Sequence, residues 1–514
     1  MFQLFIKMKE NTNKAIVVNS LILYIRLAII SVCGLLYTRF SLQALGADDY
    51  GLFSVIACII TFASIINTIM IVTSNRYIAM AIGKGDINEA CRTFNTNLVI
   101  HLFIALFTVL IALPIGHYYI ANFVNYIGDI SKAYIVFDIS IIASAFSFVG
   151  VPYNGLLLAK EKFIVFCSTD VISSVVKLIF TYLLIDYFEN KLVIYALITA
   201  FMTAFPTVVF WGYCRYYFKD ITRHCFVKNW NKYCDVIKFS AAIGYGALAI
   251  IAQSQGGALL INLFFNTAMN AGLAVANSVS GILQTFSNNA QKSISPQVVK
   301  SYAANDITRS IHLVCLSSKV TYFAMFIISI PFILIPETIF GLWLKSIPPY
   351  SIIFTRLLVI NMLVNSINSG LSDFVFATGK IKIYQIATNT LVVLSVIVGY
   401  FALKQGLQPE YLFYIYILFS LLVTIARPFI IKRISTFKIR SLIIESYIPA
   451  ISVTLLCCPL LFLKAYLSPW ILIFISYLYV AISIYYIALK SHERKYIKES
   501  IKKNMSKCTV CVWH

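Results

Sequence analysis

Apolar stretches long enough to cross a bilayer recur along the whole chain, and no other feature restricts its fold as much. They fall near residues 17–44, 50–72, 93–124, 133–159, 163–187, 191–217 and 233–265. The series continues near 267–290, 311–336, 349–376, 381–405, 409–430, 441–463 and 468–489. A spanning helix needs roughly 20 apolar residues. Lipid offers the backbone no hydrogen-bond partner, so each segment must satisfy its own peptide groups as a helix. The expected fold class is therefore all-α, a polytopic membrane protein with about 14 transmembrane helices.

Composition agrees. Of 514 residues, 60% are hydrophobic and only 12% charged, with a mean hydropathy of +0.85, which leaves too little charge to cover a soluble surface of this size. No small-residue cleavage site follows the first apolar run, so that run is expected to stay as a signal anchor. The 12 cysteines are scattered, mostly within apolar runs, and read as small core hydrophobes rather than disulfides. Cys508, Cys511 and His514 offer possible zinc ligands, but without a second CxxC or a His pair they are not read as a metal site.

A net charge of +21 could mean nucleic acid, but its distribution argues against that. With a cytoplasmic N-terminus, about 31 of the 41 Lys and Arg fall in loops on the cytoplasmic side, as membrane topology requires. They include Lys7, Lys9 and Lys14, Arg76 to Arg92, Lys160 and Lys162, Arg215 to Lys238, Lys292 to Arg309, Lys380 and Lys382, Arg427 to Arg440, and the tail from Lys490. About five lie outside: Lys132, Lys191, Lys345, Lys404 and Lys464. Both termini are expected in the cytoplasm, and the bilayer rather than nucleic acid is the expected partner.

The chain also repeats at an offset near 220 residues. Tyr50-Gly51-Leu52 aligns with Ala271-Gly272-Leu273, and Gly83 to Ile87 with Ala303 to Ile307. Ala159 to Lys162 aligns with Ala377 to Lys380. Six helices, an even number, separate the copies, so both have the same orientation. The expected organisation is an N-terminal lobe (1–217), a basic cytoplasmic linker (218–232), a second six-helix lobe (233–440), two appended helices (441–489) and a basic tail (490–514). No extramembrane stretch is long enough for a domain.

A few polar residues inside the spans carry any chemistry there is. Arg26 lies roughly 15 Å into the first helix, at 1.5 Å per residue. A guanidinium at that depth needs water or a partner. Spacings of 7 and 11 residues line up Asn19, Arg26, Cys33 and Tyr37 as one polar stripe. Asp170 and Lys177 share a helix face with Thr181, but lie about 10 Å apart along it, too far for a tight pair. His312 and Lys319 have the same spacing beside Ser317 and Ser318. Two readings stand: local charge pairing that orders the bundle, or a hydrated cavity lined with cations. Arg39 and Arg356 lie near outer ends, where snorkelling to headgroups is expected. Gln253, Gln255, Asn67, Asn365 and Asn368 are expected to bond across helices. The substrate-cavity set is thus Arg26, Lys177, Lys319, Asn19, Asp170, Arg39, Gln253 and Gln255, suited to an anionic group such as a phosphate or diphosphate. No nucleotide-binding Gly-rich loop, His-Glu-x-x-His motif or carboxylate-rich outer loop is present, and no catalytic or metal-ligating constellation emerges.

The chain resembles the oligosaccharide flippases of the polysaccharide transporter family, within the multidrug/oligosaccharidyl-lipid/polysaccharide exporter superfamily. The likeness rests on Asn19 to Arg26, Arg39 to Phe53, Gly83 to Asp86, Val151 to Asn154 and Phe340 to Tyr350. It implies two lobes facing each other across a cationic cavity, with alternating access that carries an undecaprenyl-diphosphate-linked oligosaccharide to the outer leaflet of the bacterial cytoplasmic membrane. It also implies no cofactor, coupling to a proton or sodium gradient or to the membrane potential, and association with polysaccharide polymerase and chain-length machinery. The chain departs from symmetry at Ala247, where the second lobe would carry a counterpart of Arg26. Three alternatives stay open: a lipid-linked peptidoglycan precursor flippase, a drug/cation antiporter of the same superfamily, and, disfavoured by the short loops, a membrane glycan polymerase.

Overall fold

The computed structural model describes residues 2–83, 86–160, 162–225, 227, 230–489 and 494, with side chains from residue 25 onward except at scattered helical positions. The side chains of Asn19, Arg76, Lys292 and Ala247, Lys84, and the tail with Cys508, Cys511 and His514 lie outside the described residues.

The described chain is helical. In order, the helices are α1 (Phe2–Ala63), α2 (Ile65–Gly83), α3 (Ile87–Phe123), α4 (Ile130–Val149), α5 (Val151–Ala159), α6 (Phe163–Tyr187), α7 (Lys191–Tyr217) and α8 (Lys219–Thr222). Then come α9 (Trp230–Phe264), α10 (Thr267–Ala303), α11 (Ile307–Leu334), α12 (Pro336–Trp343), α13 (Ser351–Ser366) and α14 (Leu371–Thr378). The last are α15 (Ile381–Lys404), α16 (Tyr411–Ile434), α17 (Ile439–Leu442), α18 (Ile448–Cys457), α19 (Leu460–Leu463) and α20 (Pro469–Ser483). A π-helical turn precedes α18 (Ile443–Tyr447) and another follows α20 (Ile484–Ala488).

Among the described residues ten helical stretches are long and apolar enough to cross a membrane, or eleven if the bent pair α13–α14 is one span. This is a multi-pass membrane protein. The surface shows why: Phe103, Phe107 and Leu110 on α3, Phe201 and Trp211 on α7, and Phe474 and Leu478 on α20 are all exposed, a pattern that water would penalise and lipid does not. Hydroxyls within these helices return their protons to the preceding turn, as Thr38 does to Gly34 and Thr181 to Lys177, so they cost little in an apolar medium. The ten described cysteines are free thiols, and seven are buried.

The repeated segments adopt matching local structure. Asp86 caps α3 by accepting from the amides of Asn88 and Glu89, and Asp306 caps α11 by accepting from that of Arg309. Gly51 and Gly272 each meet another backbone: a Cβ would lie 1.8 Å from the Thr267 carbonyl oxygen in one case and 2.1 Å from that of Pro349 in the other. α1 itself is two helices joined at Gly46, whose φ of 78° breaks the run.

The chain divides into two compact units. The first holds residues 1–278 with 343–351 and 392–412; the second holds 279–342, 352–391 and 413–514. In the first, α1 packs along α6, and α4 along both α3 and α7. In the second, α11 packs against α14, α17, α18 and α20, so the two C-terminal spans belong to its core.

Candidate functional site: a cationic seam between two helices

The polar stripe of α1 and the polar face of α6 meet. Arg26 donates through Nε to Asp170 Oδ2 at 3.0 Å, and its Nη2 also bonds that oxygen. The guanidinium lies 4.7 Å from the centre of the Phe166 ring, one turn earlier on α6. Farther along, the Lys177 ammonium stands 4.0 Å from the centre of the Tyr37 ring. Because 26 pairs with 170 and 37 with 177, the two helices run in the same direction. α7 closes the seam: Tyr37 stacks on Tyr195, and its hydroxyl lies 3.3 Å from that of Thr199.

This arrangement follows from the spacings. Residues 26, 33 and 37 share one face of α1, and 166, 170 and 177 share one face of α6. Each charge therefore faces a group that tolerates it: a carboxylate and an aromatic face for Arg26, an aromatic face for Lys177. The side chains of Arg26 and Asp170 remain 25% and 22% exposed, so the pair is open on one side. Both guanidinium donors use one carboxylate oxygen, which leaves Nη1 and Oδ1 without a partner among the described residues. Two cations and one carboxylate give the seam a net positive charge. A planar guanidinium with a donor that no described residue takes up, and an ammonium two turns farther along α6, suit a phosphate or diphosphate group.

The other expected residues divide differently. Arg39 is half-buried farther along α1. Gln253 donates to Ser395 Oγ at 3.0 Å, and Gln255 is half-buried on the same helix. Asn365 and Asn368 bond Ser420 and Thr424 on α16. Lys319 belongs to the second unit. It is only 5% exposed and donates to the Ala488 carbonyl at 3.2 Å. That carbonyl ends the last span, where a helix leaves its carbonyls without internal donors and favours a cation. Lys319 thus meets the end of another helix. His312 pairs with Glu445 at 3.3 Å.

The second unit also holds an apolar cavity, walled in part by the two C-terminal spans. It measures 560 Å³ and is walled by Tyr322 and Phe326 on α11, Leu363 on α13, Ile425 on α16, and Ile451 and Val480 from the two C-terminal spans. Outside the spans, Glu337 bonds both Arg356 (3.0 Å) and Lys464 (2.9 Å), fastening the loop between the last two spans to α12 and α13. Partial burial would raise the Glu337 pKa, but the Lys464 hydrogen bond, its own amide and Arg356 outweigh it and hold the carboxyl below its ordinary range.

No protein-family model matches the chain, and no curated protein matches its sequence. Solved structures do match. The chain is similar to an inward-facing multidrug resistance MATE family transporter of the MOP superfamily, with a TM-score of 0.63 and 13% identity over 80% of this chain and 98% of that one. It is also similar to the lipid II flippase MurJ in an inward closed conformation, with a TM-score of 0.67 and 14% identity over 91% and 98%. A third match is the MATE multidrug transporter DinF-BH, with a TM-score of 0.55 and 16% identity over 83% and 97%. At these identities the likeness is one of fold: the chain has the polytopic helical fold seen in these solved transporters.

Proposed function

We propose that the protein moves an undecaprenyl-diphosphate-linked oligosaccharide across the bacterial cytoplasmic membrane for surface polysaccharide assembly. Two six-helix lobes, residues 1–217 and 233–440, alternate access, and an ion gradient or the membrane potential drives the cycle. The chain crosses the bilayer fourteen times with both termini in the cytoplasm, and works beside the polymerase and chain-length proteins that consume its product.

One observation carries the reading: the half-open Arg26–Asp170–Lys177 seam, with spare guanidinium donors and net positive charge at membrane depth. A drug cation would be repelled there; a diphosphate would not. The 560 Å³ apolar cavity built partly by the C-terminal spans supports the same class of substrate, because a polyprenyl chain needs an apolar groove. Flipping of a lipid-linked peptidoglycan precursor is the second reading. It is favoured by the match to MurJ, which extends over 91% of this chain against 80% for the inward-facing MATE transporter.

Extracting lipid-linked saccharides from a deletion strain tests both. The proposal expects an undecaprenyl-diphosphate repeat unit of a surface glycan to accumulate while peptidoglycan synthesis continues. Accumulation of the peptidoglycan precursor would select the second reading. Wild-type levels of every lipid-linked saccharide, with sensitivity to a cationic drug instead, would overturn both.

A further inference from the structure

The turn between α16 and α17 forms a cleft of about 600 Å³ at one end of the second unit. Lys432, Lys438 and Arg440 line it and are exposed; Glu445 also lines it, with its carboxylate turned to His312. The lining therefore carries three cations against one carboxylate. The turn is fixed from beneath, because Phe437 is buried and packs edge-on against Phe374, with ring centres 5.2 Å apart. The cleft is thus built into the fold rather than assembled by mobile side chains.

What surrounds it is apolar and exposed. Phe429 stands one turn before Lys432 on α16, 59% exposed. Ile444, itself in the lining, and Ile448 share a face beyond the turn and are 50% and 51% exposed. Cations at a rim with two exposed apolar ridges below them match a molecule with an anionic head and hydrocarbon chains. The cleft also joins two spans on the side where the charge asymmetry places the cytoplasm, and basic clusters at that level attract anionic headgroups.

We propose that this cleft holds the headgroup of an anionic membrane phospholipid, its phosphate on Lys432, Lys438 and Arg440 and its chains along Phe429 and the Ile444–Ile448 ridge. The occupant is a bilayer lipid rather than the transported one, because the ridges beside the cleft are exposed apolar surface and not walls of the 560 Å³ cavity. The site is separate from the Arg26 seam and does not depend on what that seam transports.

The test is lipid retention by the purified full chain, read by native mass spectrometry after exchange into micelles doped with phosphatidylglycerol or phosphatidylcholine. Wild type is expected to keep phosphatidylglycerol in preference, less so as salt rises. Each cation near an anionic headgroup multiplies affinity about fivefold, so K432Q/K438Q/R440Q is expected to lose about 100-fold of the preference. A control, R309Q/K380Q/K382Q, removes the same charge from exposed positions elsewhere in the unit and should retain the wild-type preference. Equal losses in both variants would reduce the effect to overall charge and overturn the site. So would equal retention of the two phospholipids by wild type, or displacement of phosphatidylglycerol from the cleft by equimolar undecaprenyl diphosphate.

Discussion

Two intramembrane cations, read alike from their surroundings in the sequence, are held differently. Arg26 in the first unit is a quarter exposed, bonds one carboxylate oxygen of Asp170 and has Nη1 without a partner among the described residues. Lys319 in the second unit is nearly sealed, and its ammonium caps the carbonyl that ends the last span. The difference lies in what each charge is offered. A helix end presents a fixed, unsatisfied acceptor that uses a cation fully. A half-open ion pair uses it only in part, and the remainder is available to a ligand. Depth in the membrane is common to both; the partner differs.

The strongest way to break that comparison is at Lys319. Lys319→Ala leaves the Ala488 carbonyl without this donor in a buried setting, a loss of about 1–3 kcal/mol. Reduced thermal stability and membrane abundance are expected, with export per surviving molecule unchanged. Normal stability with lost export would move Lys319 to the transport side of the comparison.

Lys177 gives a smaller effect of opposite kind. Its ring contact contributes about 0.5–2 kcal/mol, so Lys177→Gln should lower the melting temperature little while cutting glycan export per molecule severalfold. An export rate equal to wild type would leave Arg26 as the seam's sole working cation.

The smallest effect is at Glu337, which ties the C-terminal spans down outside the membrane. Its carboxyl is held below the ordinary range, so its ion pairs stabilise the fold above the unfolded-state pKa, and that stability disappears as pH falls through the lower folded-state value. The melting-temperature gap between wild type and Glu337→Gln should be small at neutral pH and vanish in acid, as the pH falls through the lowered folded-state value. A gap that widens in acid would contradict the assignment.

Much of this was legible in the sequence. The helical segments follow from uninterrupted apolar runs, and the α1 stripe and the α6 face follow from the 7- and 11-residue spacings. Asp86 and Asp306, matched as a repeat, prove to be equivalent helix caps. The partners were harder to read. Periodicity shows which residues share a face but not which helix that face meets, so it leaves Asp170 as one option for Arg26. Nor could it show that a carbonyl 169 positions away would take up Lys319, because that acceptor is backbone and every residue has one. The Glu337 clamp was hidden for a related reason: its partners come from α13 and from the turn between the last two spans.

The most direct measurement is surface glycan export per molecule of membrane protein for Arg26→Ala, Asp170→Ala and the double variant. Removing one partner strands the other charge, while removing both relieves it. The double variant should therefore recover the abundance that either single variant loses. If the guanidinium also contacts the transported diphosphate, a charged hydrogen bond of about 1.5–3 kcal/mol is still missing, and export per molecule should stay at about a tenth of wild type or less. Wild-type export per molecule from the double variant would show that the pair only holds α1 against α6.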